Sequence, residues 1–339
     1  MTQTVVSLGE LMMRLSPPGK LRLRQAQMLD ICHGGAEANV AVSLAGFGLS
    51  SRFVSALPDT ELGEQGERFL RANGVDVAHV QKKPGRMGLY FMEDGADFRS
   101  GCVIYDRAGS AFTSLAPIDI DWDQVFDGAG WFHISGITPA ISTSTRDLAL
   151  AAVREAKGRG VHVSLDLNHR ERLWQYGQDA TEVMPELVRN ADTLIAGRGD
   201  CIACLGFSPD GDGSTDDWYE ALSADAMARF PNLERVSITI RNSSSAERHH
   251  WKAHIRTASE SLFSRDYDMQ QVVDRVGTGD AFSAGLVYGL FTGKSAQDAI
   301  DFAAAANCLK HTIIGDANMV TADEVEALAA STSHGRLRR

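Results

Sequence analysis

The hydrophobic pattern of the chain begins with a short apolar run, TVVSLGE from Thr4 to Glu10, which predicts a buried strand. LMMRLSPPGKLRLRQ then alternates apolar and polar residues on both sides of a Pro-Pro-Gly turn and predicts a half-exposed hairpin. In GGAEANVAVSLAGFG, Ala38, Ala41, Val42, Leu44 and Ala45 fall on one face of a helix opened by two glycines. SRFVSAL reads as a strand. ELGEQGERFLRANGV reads as an amphipathic helix stopped at Asn73-Gly74. MGLYFMEDGADFRSGCVIY, between Met87 and Tyr105, predicts two more strands around an Asp-Gly turn.

From Gly130 the order becomes regular. The strands WFHISG, VHVSLDL, DTLIAG and RVSITI alternate with helices in STRDLALAAVREAKGRG, ATEVMPELVRNA and DDWYEALSADAMARF, and a β segment, HWKAHI, follows. Such alternation means βαβ units and a parallel sheet covered on both faces. Two Ala-rich helices from Ala281 and Ser295 come next, then a last helix capped by Thr321 with Glu324 three residues on. The expected fold is a single α/β domain over residues 1–339, with a doubly wound, mostly parallel sheet and helices on both faces. The β pieces near 12–28 and 86–107 stand outside the alternation and are expected to form a small β-sheet lid. In open parallel sheets ligands sit beyond the carboxyl ends of the strands, so a lid there covers the site and excludes water.

Composition narrows the partners. With 33 Lys+Arg against 44 Asp+Glu the net charge is −11, and the one basic cluster is the terminal HGRLRR, so nucleic acid and acidic membranes are not expected to bind. An anionic ligand must be held by local groups. Cys32, Cys102, Cys201, Cys204 and Cys308 form an odd, scattered set, and the first residues lack a basic start followed by an apolar run; a reducing, cytoplasmic setting is expected. Several tempting patterns fail. GLFTGKS lacks the first glycine of a P-loop and follows a helix. The lone Cys201/Cys204 pair suits buried positions on a helix better than zinc, and SPDGDGSTDD is a solvated loop without a calcium loop's closing glutamate. His133, inside an apolar strand, is expected to be a core histidine.

DRVGTGDAFSAG, Asp274 to Gly285, is different. Gly277 and Gly279 free the backbone so that successive N–H groups can converge on an anion at a helix start. Asp280 stands where a helix cap would, and two readings stay open: an N-cap accepting from its own helix, or a general base.

That stretch resembles the C-terminal signature of the ribokinase-like (PfkB) carbohydrate kinases, and GGAEANVAVSLAGFG resembles their N-terminal signature. With the lid and the strand–helix order, the resemblance covers nearly the whole chain. It implies ATP- and Mg²⁺-dependent phosphorylation of a sugar hydroxyl, with Asp280 as base, Gly277, Thr278 and Gly279 as anion hole, and Gly34, Gly35 and Asn39 at the sugar. Within the family the chain is most similar to the 2-keto-3-deoxygluconate kinases, through SLGELMMRLSPP, YDRAGSAF, WFHISGITPA, DLNHRERLW and IIGDANMVT among others. A sugar acid's carboxylate calls for arginine, which offers a fork of donors and stays charged. The resemblance assigns Tyr90, Tyr105, Arg107 and Arg170 to this substrate. It places Asn168, Arg170, Thr239, Arg241, Ser243, Gly277, Gly279 and Asn307 at the nucleotide.

The chain also departs from the family pattern. The Asn-x-x-Glu element that organises Mg²⁺ is replaced by GRGD, Gly197 to Asp200, leaving Asp200 as the candidate ligand. A glycine-rich nucleotide loop is replaced by TIRNSSSAERHHW, where Ser243, Ser244 and Ser245 offer hydroxyls and Arg241 stands in for lysine. Asp274 is the candidate for a monovalent cation such as K⁺, with a loop-fixing hydrogen bond as the alternative. A homodimer or higher homo-oligomer through the lid is expected. The rival readings are a kinase for fructose or another neutral sugar, and a catalytically weak sugar- or nucleotide-binding sensor.

Overall fold

In a computed structural model of the chain, which describes residues 3–243 and 245–330, the apolar runs assemble two sheets. The first element, β1 (Thr4–Leu8), is fully buried. β2 (Met12–Ser16) pairs antiparallel with β3 (Asp30–Gly34), which leads into α1 (Ala36–Gly46). β4 (Ser51–Leu57), α2 (Glu61–Ala72) and the short β5 (Val80–Lys82) complete one flank. Next comes the antiparallel pair β6 (Gly88–Glu93) and β7 (Cys102–Asp106).

The predicted alternation follows. It runs through the short α3 (Trp122–Val125), β8 (Ala129–Ser135), α4 (Ile137–Ile141), α5 (Thr143–Gly158) and β9 (His162–Asp166). It continues with α6 (Ala180–Val188), β10 (Thr193–Gly197), α7 (Arg198–Leu205), α8 (Asp216–Arg229) and β11 (Arg235–Ser243). β12 (His249–Thr257), β13 (Ser261–Phe263) and β14 (Tyr267–Met269) add antiparallel strands, and α9 (Thr278–Phe291), α10 (Ala296–Lys310) and α11 (Ala322–Ala330) close the chain. α11 is capped as expected, Thr321 and Glu324 exchanging bonds across its first turn.

The large sheet has ten strands in the order β13-β12-β11-β10-β9-β8-β1-β4-β5, with β14 on β12. From β5 to β11 every neighbouring pair is parallel. Apolar residues on its two faces form two separate cores, one beneath α5, α6 and α8, the other beneath α1, α9 and α10. Cys201 and Cys204 are buried in the first, His133 is buried on β8 beside Ser164 Oγ at 2.9 Å, and burial pushes its pKa down to about 3. All three are structural.

The second sheet is the lid, four strands in the order β3-β2-β6-β7. Its first half differs from the expected 12–28 segment. LRLRQ is no strand; Leu23–Gln25 forms a turn of 3₁₀ helix, and the return strand is β3, residues 30–34. Alternation alone misled here because the 21–25 stretch has no sheet to cover, whereas DICHG, poor in apolar residues, gains its place by pairing with β2. No helix among the described residues is long and apolar enough to cross a membrane.

Candidate active site

One cavity of about 980 Å³ lies between the lid and the carboxyl ends of β9, β10 and β11, where open parallel sheets gather ligands. The glycine loop shapes one wall. Gly277 has φ +77°, a left-handed turn that glycine takes without strain, and a Cβ there would stand 2.0 Å from the carbonyl oxygen of Asp316. The turn aims the start of α9 into the cavity. The N–H groups of Gly277, Thr278 and Gly279 find no acceptor among the described residues, so they remain open to an anion at a helix N-terminus. Thr278 contributes backbone only, since its hydroxyl turns back to the carbonyl of Arg275 at 3.0 Å.

Asp280 is the third residue of α9 rather than its cap, and the cap position belongs to Gly277. Its Oδ2 accepts from Asn39 Nδ2 at 2.7 Å. The N-cap reading is thereby removed. Desolvation raises the Asp280 carboxyl to about 7; the Asn39 bond and the charge of Arg170 pull the other way. Such a carboxylate can accept a proton near neutral pH. Asn39, on α1, lines the cavity and keeps a buried Oδ1 with no hydrogen-bond partner among the described residues.

The predicted residues mostly converge. Gly35, Asn39, Tyr90, Tyr105, Asn168, Arg170, Asp200, Thr239, Arg241, Asn307 and the 277–280 loop all line this cavity, while Gly34 sits just behind, packed on the Asp316 side chain. Asn307 holds the loop by donating to the Thr278 carbonyl at 2.8 Å and has a free buried Oδ1. Tyr90 and Tyr105 face each other across the lid at 5.8 Å. Asn168 adopts φ +36°, a conformation asparagine tolerates better than most residues, at the turn that follows β9. The side chain of Ser243, and all of Ser244, lie outside the described residues.

Arg107 is the exception. Its guanidinium is buried against Glu10, donating from Nε at 2.8 Å and from Nη2 to the same Oε2, and it does not line the cavity. Arg107, expected at the substrate, is held by Glu10 in this structure and sits beside the cavity lining rather than in it.

Several lining residues were not foreseen. Asp166, at the end of β9, is buried and raised to about 8, first by desolvation and then by the charges of Asp200 and Asp280. Its Oδ1 accepts from the Asn168 N–H at 3.1 Å and its Oδ2 from Ser283 Oγ at 3.2 Å. Asp200, on α7, accepts from the N–H groups of Gly197 at 2.9 Å and His169 at 3.1 Å. Arg99, Arg170, Arg198, Arg241 and Arg275 line the same cavity. Loss of water and then the charges of Arg275 and Arg170 push Arg241 below its usual range. Both clusters call for counter-charge: a cation on one side, a polyanion on the other. The one available signal for Asp166 was its place as the last residue of a strand in DLNHR, and for Asp316 its place within IIGDANMVT.

Comparison with known proteins agrees with this geometry. The sequence profile described as pfkB family carbohydrate kinase matches residues 2–224 and 253–322. A 2-dehydro-3-deoxygalactonokinase of Haloferax volcanii is 35% identical over 326 residues, covering 96% of both chains. A 2-dehydro-3-deoxygluconokinase of Bacillus subtilis is 27% identical, covering 83% of this chain and 81% of its own. The crystal structure of a 2-dehydro-3-deoxygluconokinase from Thermotoga maritima superimposes with a TM-score of 0.93 at 40% identity, over 97% of this chain and 100% of the other. Cavity, loop, lid and sequence agree, and the chain belongs to the pfkB family of carbohydrate kinases.

Proposed function

We propose that the protein transfers the γ-phosphoryl group of ATP to the terminal hydroxyl of 2-keto-3-deoxygluconate, giving the 6-phosphate. The observation that carries this reading is Asp280: a carboxylate with a pKa near 7, held by Asn39 next to open N–H groups, within one covered cavity. Asp280 accepts the proton of the attacking hydroxyl while the N–H groups of 277–279 take up the charge that develops on the moving phosphoryl group. Asn39 Oδ1 and Tyr105 position the sugar, Tyr90 backs the site, and Arg170 meets the sugar carboxylate or the phosphates. Arg241, Thr239 and Asn307 take the nucleotide side.

Asp166 and Asp200 would hold Mg²⁺. They fit: both carboxylates line the cavity, and the Asp166 carboxyl is raised first by burial and then by the charges of Asp200 and Asp280, a charge repulsion that a divalent cation would relieve. Bound there, the ion would supply charge neutralisation for the phosphates. The sequence-based doubt about the missing Asn-x-x-Glu element is eased because Asp166 adds a second carboxylate where only Asp200 was foreseen.

A second reading has a specific support. The Haloferax volcanii relative is a 2-dehydro-3-deoxygalactonokinase, whose sugar differs in the configuration of one hydroxyl-bearing carbon. Initial rates on 2-keto-3-deoxygluconate, its galactonate epimer and fructose, with the product weighed by mass spectrometry, decide between them. The expected order is gluconate form first, fructose at least about 10²-fold lower in kcat/KM, because an arginine left without its carboxylate loses a charge-assisted pair. Arg170→Ala should narrow that gap by about tenfold. Preference for fructose would sink the sugar-acid reading.

We also place a homodimer on the outer face of the lid. The register Ile31–Leu15–Phe91–Ile104 draws one apolar row across all four strands, with Ile31 52% and Ile104 50% exposed. Light scattering on the eluted protein should give twice the chain mass; a monomer at micromolar concentration would remove this assignment.

A further inference from the structure

The Asp274 carboxylate, the candidate for a monovalent cation, is already fully engaged. Its Oδ2 accepts from Arg14 Nη1 at 2.7 Å and from the Gly315 N–H at 3.0 Å, and its Oδ1 accepts from the Val276 N–H at 2.9 Å. The same Arg14 Nη1 reaches Asp316 Oδ1 at 3.0 Å, while Arg14 Nε donates to Ser16 Oγ at 2.8 Å. Tyr90 closes the group by donating to Asp316 Oδ2. Lys310 is wholly buried at the end of α10, where its Nζ donates to the Ile313 carbonyl at 3.0 Å, and its charge is felt by both Asp274 and Asp316. Both oxygens of Asp274 already accept hydrogen bonds, and a K⁺ ion there would stand beside the Arg14 guanidinium, whose like charge repels it.

We propose that Arg14, assisted by Lys310, is the built-in cation of the catalytic loop, a positioning residue that makes activity independent of monovalent salt. The path is short. Arg14 fixes Asp274, and Asp274 fixes Val276, the residue before the Gly277 turn. Arg14 also fixes Asp316, whose backbone carbonyl packs against Gly277. Both segments that set the direction of the open N–H groups therefore converge on one side chain carried by the lid strand β2. Burial opposes the charge of Arg14, and the Asp274 and Asp316 carboxylates outweigh it, so it stays protonated.

This inference rests on the reading of the 277–280 loop as the catalytic loop, and its test is chosen to fail separately. Rates of the wild-type enzyme with MgATP and whichever sugar acid it accepts are compared in KCl, NaCl and tetramethylammonium chloride at equal ionic strength. They should agree within about twofold, and more than about fivefold activation by K⁺ overturns the proposal. Arg14→Met should lower kcat by about 10²-fold with a KM change under about threefold, and guanidinium or K⁺ should restore about tenfold of the loss. Wild-type kcat in that variant also overturns it. Independently of turnover, K⁺ should raise the melting temperature of Arg14→Met above that in tetramethylammonium but leave the wild type unmoved; a K⁺ shift in the wild type counts against the built-in cation. If Arg14→Met does not fold, Arg14→Lys takes its place, expected to keep salt independence at reduced kcat. No turnover on any sugar defeats the proposed function alone, since the melting comparison still decides the cation question.

Discussion

Asp280→Asn should lower kcat by about 10³-fold while nucleotide binding, read by calorimetry, stays within about threefold of wild type. Asparagine keeps the shape and the contact with Asn39 but cannot take a proton. The pH profile gives the same test a second edge. A base must be deprotonated to act, and desolvation places Asp280 at about 7, so kcat/KM of the wild type should fall about tenfold per pH unit below 7 and level off above it. In the asparagine variant that limb should vanish. Stability moves the other way. A carboxyl whose folded pKa is raised binds its proton more tightly when folded, so the stability it lends at low pH is lost as pH rises through about 7. The variant should therefore melt at or above the wild-type temperature at pH 8. Full turnover in Asp280→Asn would end the assignment of this residue.

Asp166→Asn is expected to be the next most damaging change, with kcat down by about 10²-fold and the Mg²⁺ concentration for half-maximal rate up by about tenfold or more. Asp200→Asn should do less. Asp200 also caps α7 by accepting from the Gly197 N–H, so its hold on an ion is shared with that structural role. Chelation should abolish activity of the wild type, and Mg²⁺ should restore it. A Mg²⁺ titration of Asp166→Asn that overlays the wild-type curve would show that Asp166 does not bind the metal.

The sequence carried the scaffold well where local pattern and tertiary role coincide. Residues 129–243 alternate strand and helix because each strand is buried on both faces and each helix on one, and both patterns are visible in a short window. The glycine loop was equally legible, since a left-handed turn at Gly277 before a helix leaves few residue choices. What escaped were relations across the chain. Arg14, Asp274 and Asp316 are separated by up to 302 positions, and nothing in MMRLS marks its arginine as a buried ion-pair partner. The pairing of Arg107 was hidden for a related reason. Position at a strand end fixes a backbone, but whether the long side chain turns outward to the cavity or inward to Glu10 depends on a carboxylate 97 residues earlier. Asp166 was passed over because a lone aspartate after an apolar strand has many ordinary roles, and it became distinctive only beside Asp200 and Asp280.

The five arginines that line the cavity, Arg99, Arg170, Arg198, Arg241 and Arg275, stand inside a chain of net charge −11. The consequence is kinetic. Nucleotide and sugar acid are both anions, so within about a Debye length of the surface they meet the repulsion of the net negative chain, and attraction begins only within the mouth of the cavity. Moderate salt then screens the outer repulsion more than the enclosed arginines, and encounter quickens where a surface steered by positive charge would see it slow.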